Sequence, residues 1–398
     1  MTPSLLILCD PFTSPAYTPR LRCWCDYLTA QGWHIDVYTE QGERRTFKHN
    51  YPIHEICVYR SQSTIEWAIK SIWSLLTDWR NRYFSRKVRS AIANRHYDVV
   101  LCCTFSTFPL RAAYDIACER HIPLHVDLRD IDEQAPNAQY QSHRQWWVRP
   151  LRQWYSRTNI RRRNRVLRKA DAISCVSPWH KQFLSAFNTN VSLIYNGYDA
   201  TIFAPQDQRS EAFEIAYVGR VYEQQMQDPT LLLEALQTID IDLHVSWYTD
   251  AVGKSRIQRL AKQYGVERWM RYHDYVPTEQ VPDILHRASI LLVLSNNAAV
   301  SGAHGIMTTK FFEALGVEKP VLCVSSDEEC LAQVIRDTHA GLAATNVEQV
   351  KAFIRDKYIE WQTAGFTRQA IDEKQKCLFT RQYQARQLET LLRTLIHD

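Results

Sequence analysis

No stretch of about 18 apolar residues occurs anywhere in the chain, so no segment has the make-up of a membrane-spanning helix. The opening MTPSLLILCDPF lacks a basic leader, and its apolar run is too short for a signal sequence. It predicts a first buried strand. The 11 cysteines are scattered, and neither Cys23/Cys25 nor Cys102/Cys103 has the spacing of a zinc or redox motif. Several sit in apolar runs such as VVLCCT, the pattern of buried free thiols in a reducing compartment. None of the 14 histidines fits a metal-ligand or triad pattern. No fixed-period repeat or low-complexity tract is present. The net charge of +5 is too small to imply nucleic acid by itself.

The 398 residues, 45% of them hydrophobic, suffice for two to three domains of about 100–200 residues. Short apolar runs alternate with segments of helical period. SLLILCD precedes TPRLRCWCDYLTAQG and HIDVYT; VVLCCT precedes LRAAYDIACERH and PLHVDL; DAISCV precedes PWHKQFLSAF and VSLIYN. Strand–helix–strand alternation of this kind predicts a parallel sheet covered by helices. A polar stretch over residues 200–213, ATIFAPQDQRSEAF, reads as an interdomain linker. The alternation then restarts with EIAYVG, DLHVSWYT, MRYHDY, SILLVLS and PVLCVS as strands. The expected fold is α/β, two doubly wound Rossmann-like domains facing a cleft at their strand C-termini. Residues 1–204 form the first domain, 205–378 the second, and 379–398 an amphipathic packing helix with Leu388, Leu391, Leu392 and Leu395 on one stripe.

Residues 305–322, GIMTTKFFEALGVEKPVL, are the most informative segment. A helix is expected to begin near Thr308, where free N–H groups and the positive dipole end suit a pyrophosphate. Glu313, four residues after Thr309, shares its helix face and could accept hydrogen bonds from ribose hydroxyls. Gly305 permits close backbone approach to a ligand. The plainer reading is an ordinary capped helix.

The pattern G-I-x-T-x-K-x-F-E-x-L-x-x-x-x-P-V-L resembles the donor-binding signature of glycosyltransferase family four, in its bacterial surface-polysaccharide branch. In the same order, DLRDID (127–132), SLIYNGYDATIF (192–203), YVGRVYEQQMQDPTLLLEAL (217–236) and DYVPTEQVPDILHRASILLVLS (274–295) resemble further family segments. The resemblance spans nearly the whole chain. It implies the GT-B architecture and sugar transfer from a nucleotide diphosphate sugar, UDP- or GDP-linked, with retention and without a metal or other cofactor. Glu313 would hold the donor ribose; Gly219, Gly305, Thr308 and Thr309 would line the donor site; Arg220 would neutralise the departing diphosphate. Two positions depart from the family. The first of its paired glutamates falls on Gly305, and a lysine five residues after the arginine falls on Gln225; Lys310 is the candidate for the missing cation. Asp-x-Asp triplets at Asp130–Asp132 and Asp240–Asp242 stand apart from any carboxylate cage and read as chance.

The resemblance assigns the acceptor to the N-terminal half. Arg20 and Arg22 lie near a helix start, and Arg129 or Asp130 stands where many members carry a catalytic-site histidine. Asp130 could orient the acceptor hydroxyl, or the pair could simply hold two loops. His304 adjoins the donor loop. Residues 143–169 carry no acid but a dense set of arginines, among them Arg161, Arg162, Arg163 and Arg165, with Trp146, Trp147, Trp154 and Tyr155 interleaved. Trp67, Trp73 and Trp79 belong to a second such helix candidate. Both suit an anionic membrane surface, or a solvated face over core tryptophans; nucleic acid is disfavoured because no RNA-binding signature is present. The expected location is cytoplasmic, peripheral at the inner face of the membrane, with a glycan or lipid-linked acceptor. An epimerase of the same architecture and a catalytically weak scaffold of a polysaccharide assembly complex remain as alternatives.

Overall fold

The computed structural model describes residues 2–12, 18–42, 48–58, 63–104, 107–134, 149–224 and 226–397. Trp146, Trp147 and Gln225 lie outside them. The chain divides into two compact units: the first takes residues 1–133, 140–195 and 382–398, the second residues 134–139 and 196–381. The division at Tyr195/Asn196 precedes the expected linker, and the C-terminal helix belongs to the first unit.

In the first unit the order is β1 (Ser4–Cys9), α1 (Thr18–Ala30), β2 (His34–Glu40), β3 (Ile53–Ile56), α2 (Thr64–Thr77), α3 (Trp79–Ala91), β4 (Val99–Thr104), α4 (Leu110–Arg120), β5 (Leu124–Leu128), α5 (Arg149–Leu167), β6 (Ala172–Cys175), α6 (Pro178–Leu184) and β7 (Val191–Leu193). The strands form one parallel sheet, β3-β2-β1-β4-β5-β6-β7. β1 and β4 are buried along their whole length, as strands covered by helices on both faces must be. One apolar layer gathers Leu6, Val100 and Val126 with Phe84 and Ile116; the other gathers Leu5, Ile7 and Val99 with Trp24 and Leu28.

The second unit runs β8 (Glu214–Val218), α7 (Thr230–Thr238), β9 (His244–Tyr248), α8 (Ala251–Tyr264), β10 (Met270–His273), α9 (Val281–Arg287), β11 (Ile290–Leu294), α10 (Ala298–Ser301), α11 (Thr309–Val317), β12 (Val321–Val324), α12 (Cys330–Asp337), β13 (Gly341–Ala343), α13 (Val347–Ala364) and α14 (Glu373–Cys377). Its parallel sheet has the order β10-β9-β8-β11-β12-β13. The last helix, α15 (Arg381–His397), returns to the first unit, where Leu388 and Leu392 are fully buried in the layer containing Trp24. In both sheets the strand order reverses once, between β1 and β4 and between β8 and β11. Crossovers leave in opposite directions there, opening a crevice at the strand carboxyl ends.

Candidate active site

The reversal point of the second sheet brings together most of the residues singled out in the donor segment. α11 begins at Thr309, with Thr308 in extended backbone conformation just ahead of it. Thr308 makes no side-chain cap. By contrast, Asp250, Asp327 and Asn346 accept hydrogen bonds from amides in the first turns of α8, α12 and α13. The first amides of α11 therefore keep their dipole end for another acceptor.

β8 ends beside this helix start. Gly219 has φ +123°, and a Cβ there would lie 2.5 Å from Lys310 Cε. The positive φ favours glycine there, and its missing Cβ lets the Lys310 side chain lie directly against the strand end. Its Nζ is 5.3 Å from the centroid of the Tyr217 ring. Burial lowers the ammonium to about 8, with Glu313 opposing. Glu313, one turn along, is pushed up to about 7 by burial, against the attraction of Arg381 and Lys310. Arg220, the residue after Gly219, is 69% exposed, and its Nε is 3.8 Å from Asp250 Oδ2. An ion pair that long and that open holds the guanidinium weakly. The loop beyond is fixed from below: Tyr217 Oη donates to the Arg220 carbonyl at 2.5 Å, and Arg256 donates to the Val221 carbonyl at 2.8 Å.

Two residues here escaped sequence reasoning. Glu329, at the start of α12, reaches across to the segment ahead of α11. Its Oε1 lies 2.6 Å from His304 Nδ1, and its Oε2 accepts from the Gly305 amide at 3.3 Å. A carboxylate therefore stands beside Gly305, where the family's first glutamate is absent from the chain. Arg381 acts on Glu313 from the start of α15. Both are distant in sequence from the motif they serve, so no spacing rule reaches them.

The candidates of the first unit are more divided. Arg20 is buried, donates Nη2 to Asp127 Oδ1 and Nη1 to the Ile194 carbonyl, both at 2.9 Å, and lies over the Trp24 ring. Ser174 donates to the same Asp127 oxygen at 2.7 Å. This network ties α1 to β5, β6 and the end of β7, so these contacts give Arg20 an internal structural place. At the end of β5, Arg129 is buried and Asp130 exposed. Although solvent reaches Asp130, enough protein flanks it that desolvation raises its carboxyl, with Arg129 and Arg20 opposing. Asp130 is the better placed of the two to meet a ligand.

The α5 arginines do not form one exposed array. Arg163 is buried and forms a two-pronged pair with Glu133 at 2.6 and 3.0 Å, which corrects its expected place at a membrane surface. The acid lies outside the run, so the run's lack of acids concealed it. Arg162 donates to the Ser74 and Leu75 carbonyls at 3.0 and 2.6 Å, closing the end of α2. Arg161 is exposed.

Comparisons with known proteins agree with the two-sheet fold. Residues 21–202 match the family model described as Glycosyltransferase Family 4, and residues 199–376 match Glycosyl transferases group 1. No curated protein matches the chain by sequence. Among solved structures, sucrose-phosphate synthase from Thermosynechococcus elongatus has a TM-score of 0.68 at 14% identity, with 100% of each chain covered. A glycosyltransferase from Rickettsia africae has a TM-score of 0.66 at 12% identity, covering 99% of each chain. Anabaena HepE in complex with UDP-glucose has a TM-score of 0.67 at 12% identity, covering 98% of this chain and 99% of that one. Two parallel sheets, each with one reversal, and two family models that together run through residues 21–376 place the chain among the GT-B glycosyltransferases of the family-four type.

Proposed function

We propose that the chain transfers a sugar, with retention and without a divalent metal, from a UDP- or GDP-sugar to a hydroxyl on a lipid-linked or polysaccharide intermediate of cell-surface glycan synthesis. The observation that carries this reading is the convergence of Gly219, Lys310, Glu313 and the uncapped start of α11 at the reversal point of the second sheet. In the proposed donor complex, the ribose hydroxyls donate to Glu313. The α11 amides around Thr308 and Thr309 receive the distal phosphate. Arg220 and Lys310 carry the positive charge that meets the leaving diphosphate, with Lys310 standing in for the family lysine that Gln225 replaces. The HepE structures hold UDP-glucose in one case and UDP in another, which supports a uridine nucleotide as the first donor to try.

In the proposed reaction, the bond from the anomeric carbon to the diphosphate oxygen breaks and a bond to the acceptor oxygen forms on the same face. A diphosphate oxygen takes the acceptor proton. The protein's part is to position the reactants and to place fixed cations and helix dipoles where negative charge develops. Asp130 orients the acceptor hydroxyl. Glu329, held by His304 and the Gly305 amide, supplies the carboxylate facing the donor sugar.

Calorimetric titration with UDP and GDP, followed by a donor screen that reads nucleotide release, tests the reading. Micromolar binding of one nucleotide, lost in Glu313→Ala, is expected. A folded protein that binds neither would favour the scaffold alternative. The anomeric configuration of the product, read by NMR, tests retention.

A further inference from the structure

α2 is packed inside out. Its buried residues are Ser71, Ser74 and Leu75. Its opposite face carries Ile65, Ile69, Ile72, Trp73 and Leu76, exposed by 67, 63, 44, 57 and 70%. These positions, spaced i, i+4, i+7, i+8 and i+11, form a single stripe about 100° wide. A water-facing helix normally carries the reverse arrangement, and a contiguous apolar face of this kind marks an interaction surface. An apolar groove lined by Ile69, Ile72, Trp73, Trp79 and the Lys70 stem runs along it.

A cationic pocket lies at the C-terminal end of the same helix. It is about 220 Å³ in volume and carries Arg82, Arg111, Arg162 and Arg165 against Asp78 and Asp115. Arg111 pairs with Asp115 at 2.7 Å, and Arg162 lies 3.8 Å from Asp78. Arg82 and Arg165 have no carboxylate partner among the described residues. Leu76 belongs both to the exposed stripe and to the lining of this pocket, so the apolar and cationic surfaces are continuous.

We propose that α2 lies in the headgroup region of an anionic phospholipid bilayer, its isoleucine–tryptophan face sunk towards the acyl chains, with a lipid phosphate in the pocket of Arg82 and Arg165. The helix has 14 residues, about 21 Å at 1.5 Å each, too short to span a bilayer and long enough to lie along its surface. Charge selects this occupant over a second copy of the chain. A second copy could match the stripe but offers the pocket no free anion, since Glu66 at the far end of α2 is paired with Lys70, whereas anionic headgroups complement the pocket as acyl chains complement the stripe. The surface for membrane contact is then centred on α2 rather than on α5.

The test is co-sedimentation of the full chain with vesicles of phosphatidylcholine alone or mixed with phosphatidylglycerol, at low and high salt. UDP titration and sedimentation equilibrium accompany it. Wild-type protein is expected to pellet with the mixed vesicles and to be monomeric without them. Ile69→Ser, Trp73→Ser and Leu76→Ser combined should weaken vesicle binding on the order of a hundredfold. Arg82→Gln with Arg165→Gln should weaken binding to the anionic vesicles roughly thirtyfold at low salt, and reduce the preference over neutral ones. Nucleotide affinity should be the same in all three proteins, which separates this proposal from the sugar-transfer reading. Wild-type protein that stays in the supernatant overturns the proposal. So does a triple variant that binds vesicles as wild type does, or a wild-type dimer that the triple variant dissociates.

Discussion

Replacing Glu313 by glutamine should make the empty protein more stable while making it a poorer binder. Burial moves the ionisation of Glu313 from 4.5 to about 7. Between those values the folded state holds a proton that the unfolded state has released, so stability falls as pH rises through that window and stays lower above it. The full linkage cost is about 3 kcal/mol. The side chain keeps partial access to water, which reduces this to roughly 1–3 kcal/mol. Glutamine has no charge to desolvate and nearly the same shape. At pH 5 the two proteins should melt together; at pH 8 the Glu313→Gln protein should melt several degrees higher, at about 2–4 °C per kcal/mol for a unit of this size. Saturating UDP should narrow the difference, by about 1.4 kcal/mol for each tenfold loss of affinity. A ligand at a hundred times its Kd adds about 2.7 kcal/mol to the protein that binds it, and the glutamine variant should bind at least tenfold more weakly. Thermal melts at both pH values, with and without UDP, measure all four conditions. A glutamine variant no more stable than wild type at pH 8 would refute the claim that Glu313 is held ionised against its surroundings for a ligand.

The same two groups give a pH window for the donor. Affinity should rise as Glu313 loses its proton near 7 and fall as Lys310 loses its own near 8, a bell that titration from pH 5.5 to 9.5 would trace. Gly219→Ala should cost roughly 1–3 kcal/mol and weaken UDP binding, because the new methyl group displaces Lys310; denaturation and titration read the two effects separately. Nucleotide release should persist in EDTA, and turnover that returns only with Mg²⁺ or Mn²⁺ would contradict the proposed reaction. Lys376→Met should destabilise the chain by about 2 kcal/mol or more, since it leaves buried Glu318 with Arg368 alone. Burial disfavours the Glu318 carboxylate, but hydrogen bonds from Lys376 and Arg368 outweigh it and hold its pKa below the usual value. The difference between wild type and variant should therefore shrink as pH falls through the carboxylate range.

The parallel sheets were legible because buried strands must be apolar on both faces, as Leu5 to Cys9 are. The start of α11 was legible because a glycine-bearing turn ahead of an apolar helical period is a local signal. Short edges were not. β13 is three half-buried residues beginning with glycine, too few to show a period. Position in space was legible least of all. Glu329 serves a loop 24 residues before it, and Arg163 finds its acid at Glu133, 30 residues earlier. In α2 the stripe of Ile65, Ile69 and Trp73 could be read from periodicity, but periodicity cannot say whether a stripe faces inward or outward.

The return of α15 to the first unit bears on how the protein is made. Residues 381–397 supply Leu388 and Leu392 to a core otherwise built from residues 5–194, and Glu389 accepts a hydrogen bond from the Trp33 indole at 3.2 Å. The ribosome therefore finishes residues 196–381, nearly all of the second unit, before the first can close. A nascent chain in this interval carries a finished second sheet and an N-terminal half with one apolar layer open, the state in which chaperones would meet it.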